Sequence, residues 1–266
     1  MDRRHLSTGG STKTIQKYCY ILRFAAIAPN PDTNSDTSHA DTIMTATTTL
    51  LVEEIFETIQ GEGAFTGSPV SFVRLYGCPV GCAFCDQGWA ASADTTRQNP
   101  YQWMAIADII KQVSSYAPQR IVISGGEPLL QKNCALLIHE LQTAGFTVHI
   151  ETAGIAPIST PDLADCWITF SPKDKVARSP QYKSLEFYWK RADEIKLVIE
   201  DGTELEFYQN SLAASQAPVY LQPEWNNLSV TSAIAVSLLQ DLERQRSHNG
   251  RIYKLSLQTH KFLNLP

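Results

Sequence analysis

The sequence predicts an α/β fold in which parallel strands form a full or partial (β/α) barrel. The first observation is that strand-like and helix-like segments alternate from residue 50 onward at the pace of βαβ units. The second is the length, because 266 residues can bury a substantial core without disulfides. The third is that Gly-, Cys- or polar-rich segments follow nearly every predicted strand, as expected when a site lies at the carboxyl ends of barrel strands.

The predicted strands are short apolar runs bounded by polar or turn-forming residues. In chain order they are FVRLY (72–76), RIVIS (120–124), FTVHIET (146–152), CWITFS (166–171), EIKLVIE (194–200), APVYLQ (217–222) and RIYKLSLQT (251–259). The predicted helices between them have apolar residues at helical spacing, and Gly145 ends the second of them. They span 101–116, 129–145, 182–192, 204–214 and 231–246.

The composition restricts the function classes. A net charge of −5 argues against a broad nucleic-acid surface, which needs a basic domain. The chain contains no apolar run of about 18 residues, so no membrane span is expected. Six cysteines are too few for a disulfide framework, and three of them crowd into one loop. We therefore expect a cytoplasmic protein that has neither a nucleic-acid nor a membrane partner.

Residues 1–47 differ from the rest and are predicted to be a disordered or misannotated extension before a core domain at 48–266. The stretch 29–49 is rich in Asp, Ser, Thr, Asn and Pro, which cannot build a core. The apolar run at 18–28 superficially suggests an export signal, but Arg23 interrupts it. An alternative interpretation is that translation begins at Met44.

The cysteine loop carries the strongest chemical signal. Cys78, Cys82 and Cys85 place three thiolates in one loop without an obvious fourth. Structural zinc sites and most iron–sulfur electron carriers use four ligands. Three ligands would instead hold a [4Fe–4S] cluster with one iron open to S-adenosylmethionine, whose reductive cleavage gives a hydrogen-abstracting radical. The alternative is a zinc loop completed by a distant histidine such as His260.

This loop resembles the signature of the radical S-adenosylmethionine (radical SAM) superfamily. The wider run FETIQGEGAFTGSPVSFVRLYGCPVGCAFCD at 56–86 is similar to one family within it, the 7-carboxy-7-deazaguanine synthases of queuosine and 7-deazapurine biosynthesis. The likeness continues through SGGEP, ETAG, SPK, EIK and LQP to QTHKFLNLP, and covers about residues 50–266. It implies a partial (β/α) barrel of the radical SAM type.

The resemblance implies which residues contact each ligand. The cofactor-binding residues would be Gly126, Glu151, Ser171, Pro172, Lys173, Gln222 and Pro223. The substrate-binding residues would be Ile59, Gln60, Gly61, Arg74, Ser124 and Pro266, with His260 and Lys261 enclosing the site. Arg74 would bind the substrate carboxylate through its two-pronged guanidinium. For each strand-end motif alone, a solvated strand end is the alternative.

One position departs from the family. After the last cysteine the family has Asp followed by Thr or Ser, whose hydroxyl binds Mg²⁺, whereas this chain has Asp86 and Gln87. The Gln87 carbonyl oxygen is a candidate Mg²⁺ ligand, but it is longer and differently aimed. The sequence therefore makes Mg²⁺ dependence doubtful.

The implied activity is that of a carbon–nitrogen lyase. Such an enzyme converts 6-carboxy-5,6,7,8-tetrahydropterin to 7-carboxy-7-deazaguanine and releases ammonia, with a flavodoxin-type reductant and a homodimeric assembly. The alternatives are a glycyl-radical-enzyme activating enzyme, which shares the loop but acts on a polypeptide, and a non-enzymatic cluster or zinc protein. The compact QGEG and QTHK segments argue against the open groove that a polypeptide needs.

Overall fold

The computed structural model describes residues 48–88, 101–157, 163, 165–245 and 250–266. The predictions made for residues 1–47 lie outside these ranges. Within them, every helix falls short of the length and apolar content needed to cross a bilayer.

The described strands form one open sheet in the order β3-β1-β2-β4-β5-β6-β7-β8-β9. From β2 to β9 neighbouring strands are parallel, whereas β1 pairs antiparallel with both β2 and β3. Because β3 and β9 remain at opposite edges, the barrel is partial, as predicted. The strands are β1 Thr49–Ile59, β2 Pro69–Leu75, β3 Gln102–Ala105, β4 Arg120–Gly125, β5 Thr147–Thr152, β6 Trp167–Phe170, β7 Glu194–Ile199, β8 Val219–Pro223 and β9 Tyr253–Leu255.

Most helices of the described residues lie in the crossover connections between parallel strands, whereas α7 follows the last strand. They are α1 Ile106–Val113, α2 Cys134–Thr143, α3 Glu186–Arg191, α4 Glu204–Phe207, α5 Gln209–Ala213, α6 Leu228–Gln245 and α7 Thr259–Phe262. Alternation along the strands decides what each face of the sheet carries. In β7, Ile195, Leu197 and Ile199 join the hydrophobic core, so Glu194 and Lys196 point to the opposite face.

Three predicted elements differ from the structure, and one strand was not predicted. The predicted helix 101–116 begins as strand β3, because residues 102–105 pair with the edge of β1, a strand that the sequence analysis missed. The predicted helix 204–214 is split into α4 and α5 at Tyr208. The predicted strand 251–259 keeps only Tyr253–Leu255, since the chain then turns toward the 60–62 loop and forms α7, with Thr259 N–H donating to the Gly61 carbonyl at 2.9 Å.

The close approach of β4 to β2 requires glycine. A Cβ added to Gly125 would lie 2.0 Å from the Leu75 carbonyl oxygen, and one on Gly126 would lie 2.0 Å from the Gly77 oxygen. Gly125 also has φ of +114°, which side-chain-bearing residues rarely adopt. The approach lets the N–H groups of Gly126 and Glu127 donate to Leu75 and Gly77, each at 2.9 Å. The glycine pair therefore fixes the start of the cysteine loop.

Replacing Gly125 by Ala should destabilise the protein strongly. The left-handed backbone costs about 1–2 kcal/mol, and the clash with a main-chain oxygen adds about 1–3 kcal/mol. Gly145→Ala is the matched control, because Gly145 also has positive φ but its added Cβ would meet nothing within 4 Å. Denaturant unfolding measures both variants, and equal losses would show that the β2–β4 approach is not tight.

Candidate active site

One cavity of about 250 Å³ lies at the carboxyl ends of the parallel strands. Its wall brings together residues from β2, β4, β5, β7 and β8 and from the segments that follow β6 and β9. The residues predicted from the sequence as cluster, cofactor, substrate or Mg²⁺ contacts all line it, except Lys261 and the buried Pro172. The structure thus gathers positions that are up to 207 residues apart in sequence, from Ile59 to Pro266 (266 − 59).

The cysteine loop forms one side of the cavity. Cys78, Cys82 and Cys85 have free thiols on its wall. Burial raises the pKa of Cys78 to about 12 and also raises the pKa of Cys82, so a metal bound by these thiols would have to displace their protons. Among the described residues, no three His, Cys, Asp or Glu side chains converge closely enough to hold one metal ion. Three separated thiols fit a multi-iron cluster better than a closed zinc site.

The segment after β6 forms the neighbouring wall. Lys173 Nζ donates to the Ser171 carbonyl oxygen at 2.9 Å and to the Ser171 hydroxyl. The Ser171 hydroxyl in turn donates to the Lys196 carbonyl oxygen at 3.0 Å. Burial lowers the pKa of Lys173, while negative charge at Cys82 opposes that shift. Lys173 is therefore a half-buried lysine that faces the thiol loop.

A buried ion pair forms another part of the cavity wall. Lys196, from β7, pairs with the Glu62 carboxylate, which also accepts hydrogen bonds from Gln222 at 3.2 Å and from Gln258 at 2.9 Å. Burial alone would raise the pKa of Glu62, but the charge of Lys196 and these hydrogen bonds outweigh it and lower the pKa to about 2. Burial would lower the pKa of Lys196, whereas Glu62 and Glu151 raise it. Both groups are therefore charged at neutral pH.

Gln258 connects this ion pair to the cysteine loop. Its Nε2 donates to Glu62 at 2.9 Å and to Asp86 Oδ2 at 2.8 Å, and its Oε1 accepts from Lys261 at 3.0 Å. Lys261 also pairs with Asp86 and lies 4.9 Å from the centre of the Trp225 ring. The segment after β9 is thus held against the loop that follows Cys85, and it closes the cavity on that side.

The Gln60 side chain is hydrogen-bonded within the protein at both its amide nitrogen and its amide oxygen. Its Oε1 accepts from the Glu62 N–H at 3.2 Å, and its Nε2 donates to Glu151 at 3.0 Å. Its main-chain groups pair with Gly67 and Ser68 at 2.8 Å. Gln60 therefore orients Glu151 and the 60–62 loop.

Comparison with known proteins agrees with this site. A family model described as the Radical SAM superfamily matches residues 72–165. A 7-carboxy-7-deazaguanine synthase from Synechocystis sp. is 31% identical over 216 residues, which cover 80% of this chain and 92% of that relative. The synthase of the same name from Flavobacterium psychrophilum is 32% identical, with 81% and 92% covered. The crystal structure of QueE from Escherichia coli superposes with a TM-score of 0.65 at 28% identity, covering 84% of this chain and all of that one.

The chain belongs to the 7-carboxy-7-deazaguanine synthase family. This membership confirms the resemblance inferred from the motifs, and the structural match confirms the radical SAM type of partial barrel. The roles of individual site residues stay predictions, which the contacts around each of them support or weaken.

Arg74, which the sequence analysis assigns to the substrate carboxylate, already has a partner within the protein. Its guanidinium Nη1 pairs with Glu54 on the neighbouring strand β1, and its charge lies 5.1 Å from the centre of the Phe56 ring. A structural partner therefore explains how an arginine sits in an apolar strand. Its Nε is buried without a hydrogen-bond partner, however, and Arg74 lines the cavity. An acceptor supplied by a ligand would satisfy that nitrogen.

Sequence reasoning missed several functional candidates. Glu62 and Lys196 lie in the QGEG and EIK segments, but nothing in the local pattern shows that residues 134 apart form an ion pair. Glu127, the acid of GGEP, does not line the cavity, and it accepts from Thr152 Oγ1 at 2.5 Å and from Ala153 N–H at 2.7 Å. Burial raises its pKa to about 7. Its contacts assign it to holding the segment that follows β5.

A polar layer lies one inward-facing position earlier along the strands. The Thr169 hydroxyl donates to Glu194 at 2.6 Å and lies 2.6 Å from His149 Nε2, which must then be the donor to it. Burial lowers the pKa of His149 to about 3, so the ring is neutral. Glu194 also accepts the Ala64 N–H at 2.8 Å, which anchors the loop carrying Glu62.

Gln258→Leu should loosen the segment after β9. The change removes donors to two carboxylates, and leaving such acceptors unpaired costs about 1–3 kcal/mol. We expect faster amide hydrogen exchange across residues 256–266, measured by mass spectrometry. Gln240→Leu is the control, because Gln240 is exposed and bonded only to Arg244 among the described contacts. Unchanged exchange in Gln258→Leu would show that these hydrogen bonds do not hold the segment.

Proposed function

We propose that the chain is a radical SAM lyase that converts 6-carboxy-5,6,7,8-tetrahydropterin to 7-carboxy-7-deazaguanine with release of ammonia. The observation that carries this proposal is a small cavity whose wall holds both three free thiols and a charged, hydrogen-bonded ion pair. Family membership at about 30% identity over most of both chains supports it.

The thiol side fits a [4Fe–4S] cluster with S-adenosylmethionine. Cys78, Cys82 and Cys85 would hold the cluster, and the strand-end residues beside them would bind S-adenosylmethionine. When bound, the two groups supply one-electron chemistry that removes a hydrogen atom from an unreactive carbon. The chain itself positions the ligands and excludes water, since the wall around Gln258 and Gln222 is buried.

The closed side fits a small, polar heterocycle. Within the described part of the chain, the cavity of about 250 Å³ bounded by the 60–62 loop and by Gln258 and His260 has the size of a small-molecule site and not of a groove for an extended polypeptide. This closure disfavours the glycyl-radical activating alternative. Arg74 with its unpartnered Nε would receive the substrate carboxylate, and Ile59 and Gly61 would contact the pterin edge.

Four further features belong to the proposal. Gln87 is the candidate ligand for any Mg²⁺ that binds with the substrate. Asp86 is already engaged by Gln258 and Lys261, so substrate and water oxygens would have to supply the other ligands. We also expect a flavodoxin-type reductant, a homodimer and a cytoplasmic location.

Product analysis tests the proposal directly. Anaerobically reconstituted protein, a reductant and S-adenosylmethionine are incubated with the carboxylated tetrahydropterin, and the product is identified by mass spectrometry. Formation of 7-carboxy-7-deazaguanine and ammonia supports the lyase. Cleavage of S-adenosylmethionine without a deazaguanine product would contradict the substrate assignment.

Cys82→Ala should abolish S-adenosylmethionine cleavage, because one iron of the cluster loses its thiolate. Cys134→Ala is the matched control, since Cys134 is buried in α2 and does not line the cavity. Iron and sulfide analysis and anaerobic cleavage assays measure both variants. Retained cleavage in Cys82→Ala would overturn the ligand assignment.

Arg74→Ala should weaken use of the pterin and spare reductive cleavage measured without substrate. Losing a charge-assisted contact to a carboxylate predicts a KM rise of about tenfold or more, since such bonds contribute about 1.5–3 kcal/mol. Glu54→Gln separates the two roles of Arg74, because it removes only the structural partner. If Glu54→Gln reproduces the full defect, Arg74 acts by supporting the sheet and does not bind the carboxylate.

A further inference from the structure

Lys196 is the cation around which the closed side of the cavity is arranged. It is only 7% exposed, it lies on β7, and its ammonium pairs with Glu62. The Glu151 and Glu194 carboxylates also act on its charge. Burying an ammonium or a carboxylate is costly unless it is paired. Lys196 and these acids therefore stabilise each other's charged forms.

The pairing leaves Glu62 oriented but not saturated. One carboxylate oxygen is paired with Lys196, and the other accepts from Gln222 and Gln258. An ionised carboxylate offers about four acceptor sites, and Glu62 lines the cavity. One acceptor direction therefore remains for a ligand N–H. The pterin of the proposed reaction carries N–H donors along its edge.

We infer that Lys196 is a positioning residue that holds Glu62 as a fixed, ionised carboxylate on the cavity wall, and that it thereby sets the affinity for the pterin. This inference rests on the proposed function. Lys196 acts through Glu62, and its main-chain carbonyl, which accepts from Ser171, is independent of its side chain.

The groups that face this pair determine how it titrates. Glu62 faces Lys196 and His260, and Lys196 faces Glu62, Glu151 and Glu194, with Lys173 interacting with both. In the unaltered protein Lys196 lowers the pKa of Glu62 to about 2, so Glu62 stays ionised throughout the neutral range. Without Lys196, burial dominates and raises this pKa, and Glu62 loses its charge as pH falls.

Lys196→Met is the decisive variant. At pH 6 we expect the KM and the calorimetric Kd for the pterin to rise about tenfold or more, since breaking one side of a buried charge pair is costly. Both values should recover toward those of the unaltered protein as pH rises to 9, because Glu62 then ionises. The unaltered protein should show no such pH dependence. A merely structural defect would weaken binding equally at every pH.

Two further variants complete the experiment. Lys190→Met is the matched control, because Lys190 is exposed on α3 and pairs only with Glu186 among the described contacts. The double variant Lys196→Met, Glu62→Gln should bind the pterin weakly and without pH dependence, because it lacks the titrating carboxylate. It contains no unpaired carboxylate at position 62, so it provides the second measurement if Lys196→Met alone folds poorly.

The outcomes separate this inference from the proposed function. If the unaltered protein makes no 7-carboxy-7-deazaguanine, the proposed function fails. If it does, and Lys196→Met has the same KM and Kd at pH 6 and pH 9 as the unaltered protein, the positioning role of Lys196 is overturned. A pH-independent loss of binding in Lys196→Met also overturns it.

Discussion

The structure depends on keeping charges paired on the inward face of an open sheet. Glu62, Glu151, Glu194 and Lys196 meet where the wall is closed, and their charges would oppose folding if any of them lacked a partner. Each acid therefore accepts hydrogen bonds that fix its position. Glu62 accepts them from two side-chain amides and Glu151 from the Gln60 amide, and Glu194 accepts one from a hydroxyl and one from a main-chain N–H. The pairing that stabilises the barrel interior is thus the same pairing that shapes the cavity.

The other side of the cavity obeys a different constraint, which is main-chain proximity. Gly125 and Gly126 bring β4 against the end of β2 so closely that no Cβ fits, and the N–H groups of Gly126 and Glu127 donate to the carbonyls of Leu75 and Gly77, just before Cys78. The sequence analysis assigned Gly126 to the cofactor. The structure shows that both glycines serve the close approach of another main chain, and the cofactor contact of Gly126 stays a prediction.

The sequence predicts local patterns better than it predicts pairings. The parallel strands and the cysteine loop follow from apolar runs and residue spacing that need no tertiary information. Strand β1 was missed and β3 was mistaken for the first turn of a helix, because each is specified by the other across the sheet and exposes hydrophobic residues such as Trp103. Pairing with β1 makes residues 102–105 a strand although their apolar spacing is helical, and the predicted helix is correct only from Ile106 onward.

The same distinction divides the site. Residues whose role depends on main-chain geometry, such as the glycines of SGGEP, carry that role in short motifs. Short motifs do not show a role that depends on a distant side chain. The sequence assigns Arg74 to a ligand but does not show its partner Glu54, and it assigns no role to Lys196. A buried charge in a sequence therefore indicates that a partner exists, but only the fold shows whether that partner is another residue or a substrate. At Arg74 both conditions hold, since its Nη1 has a protein partner and its Nε has none.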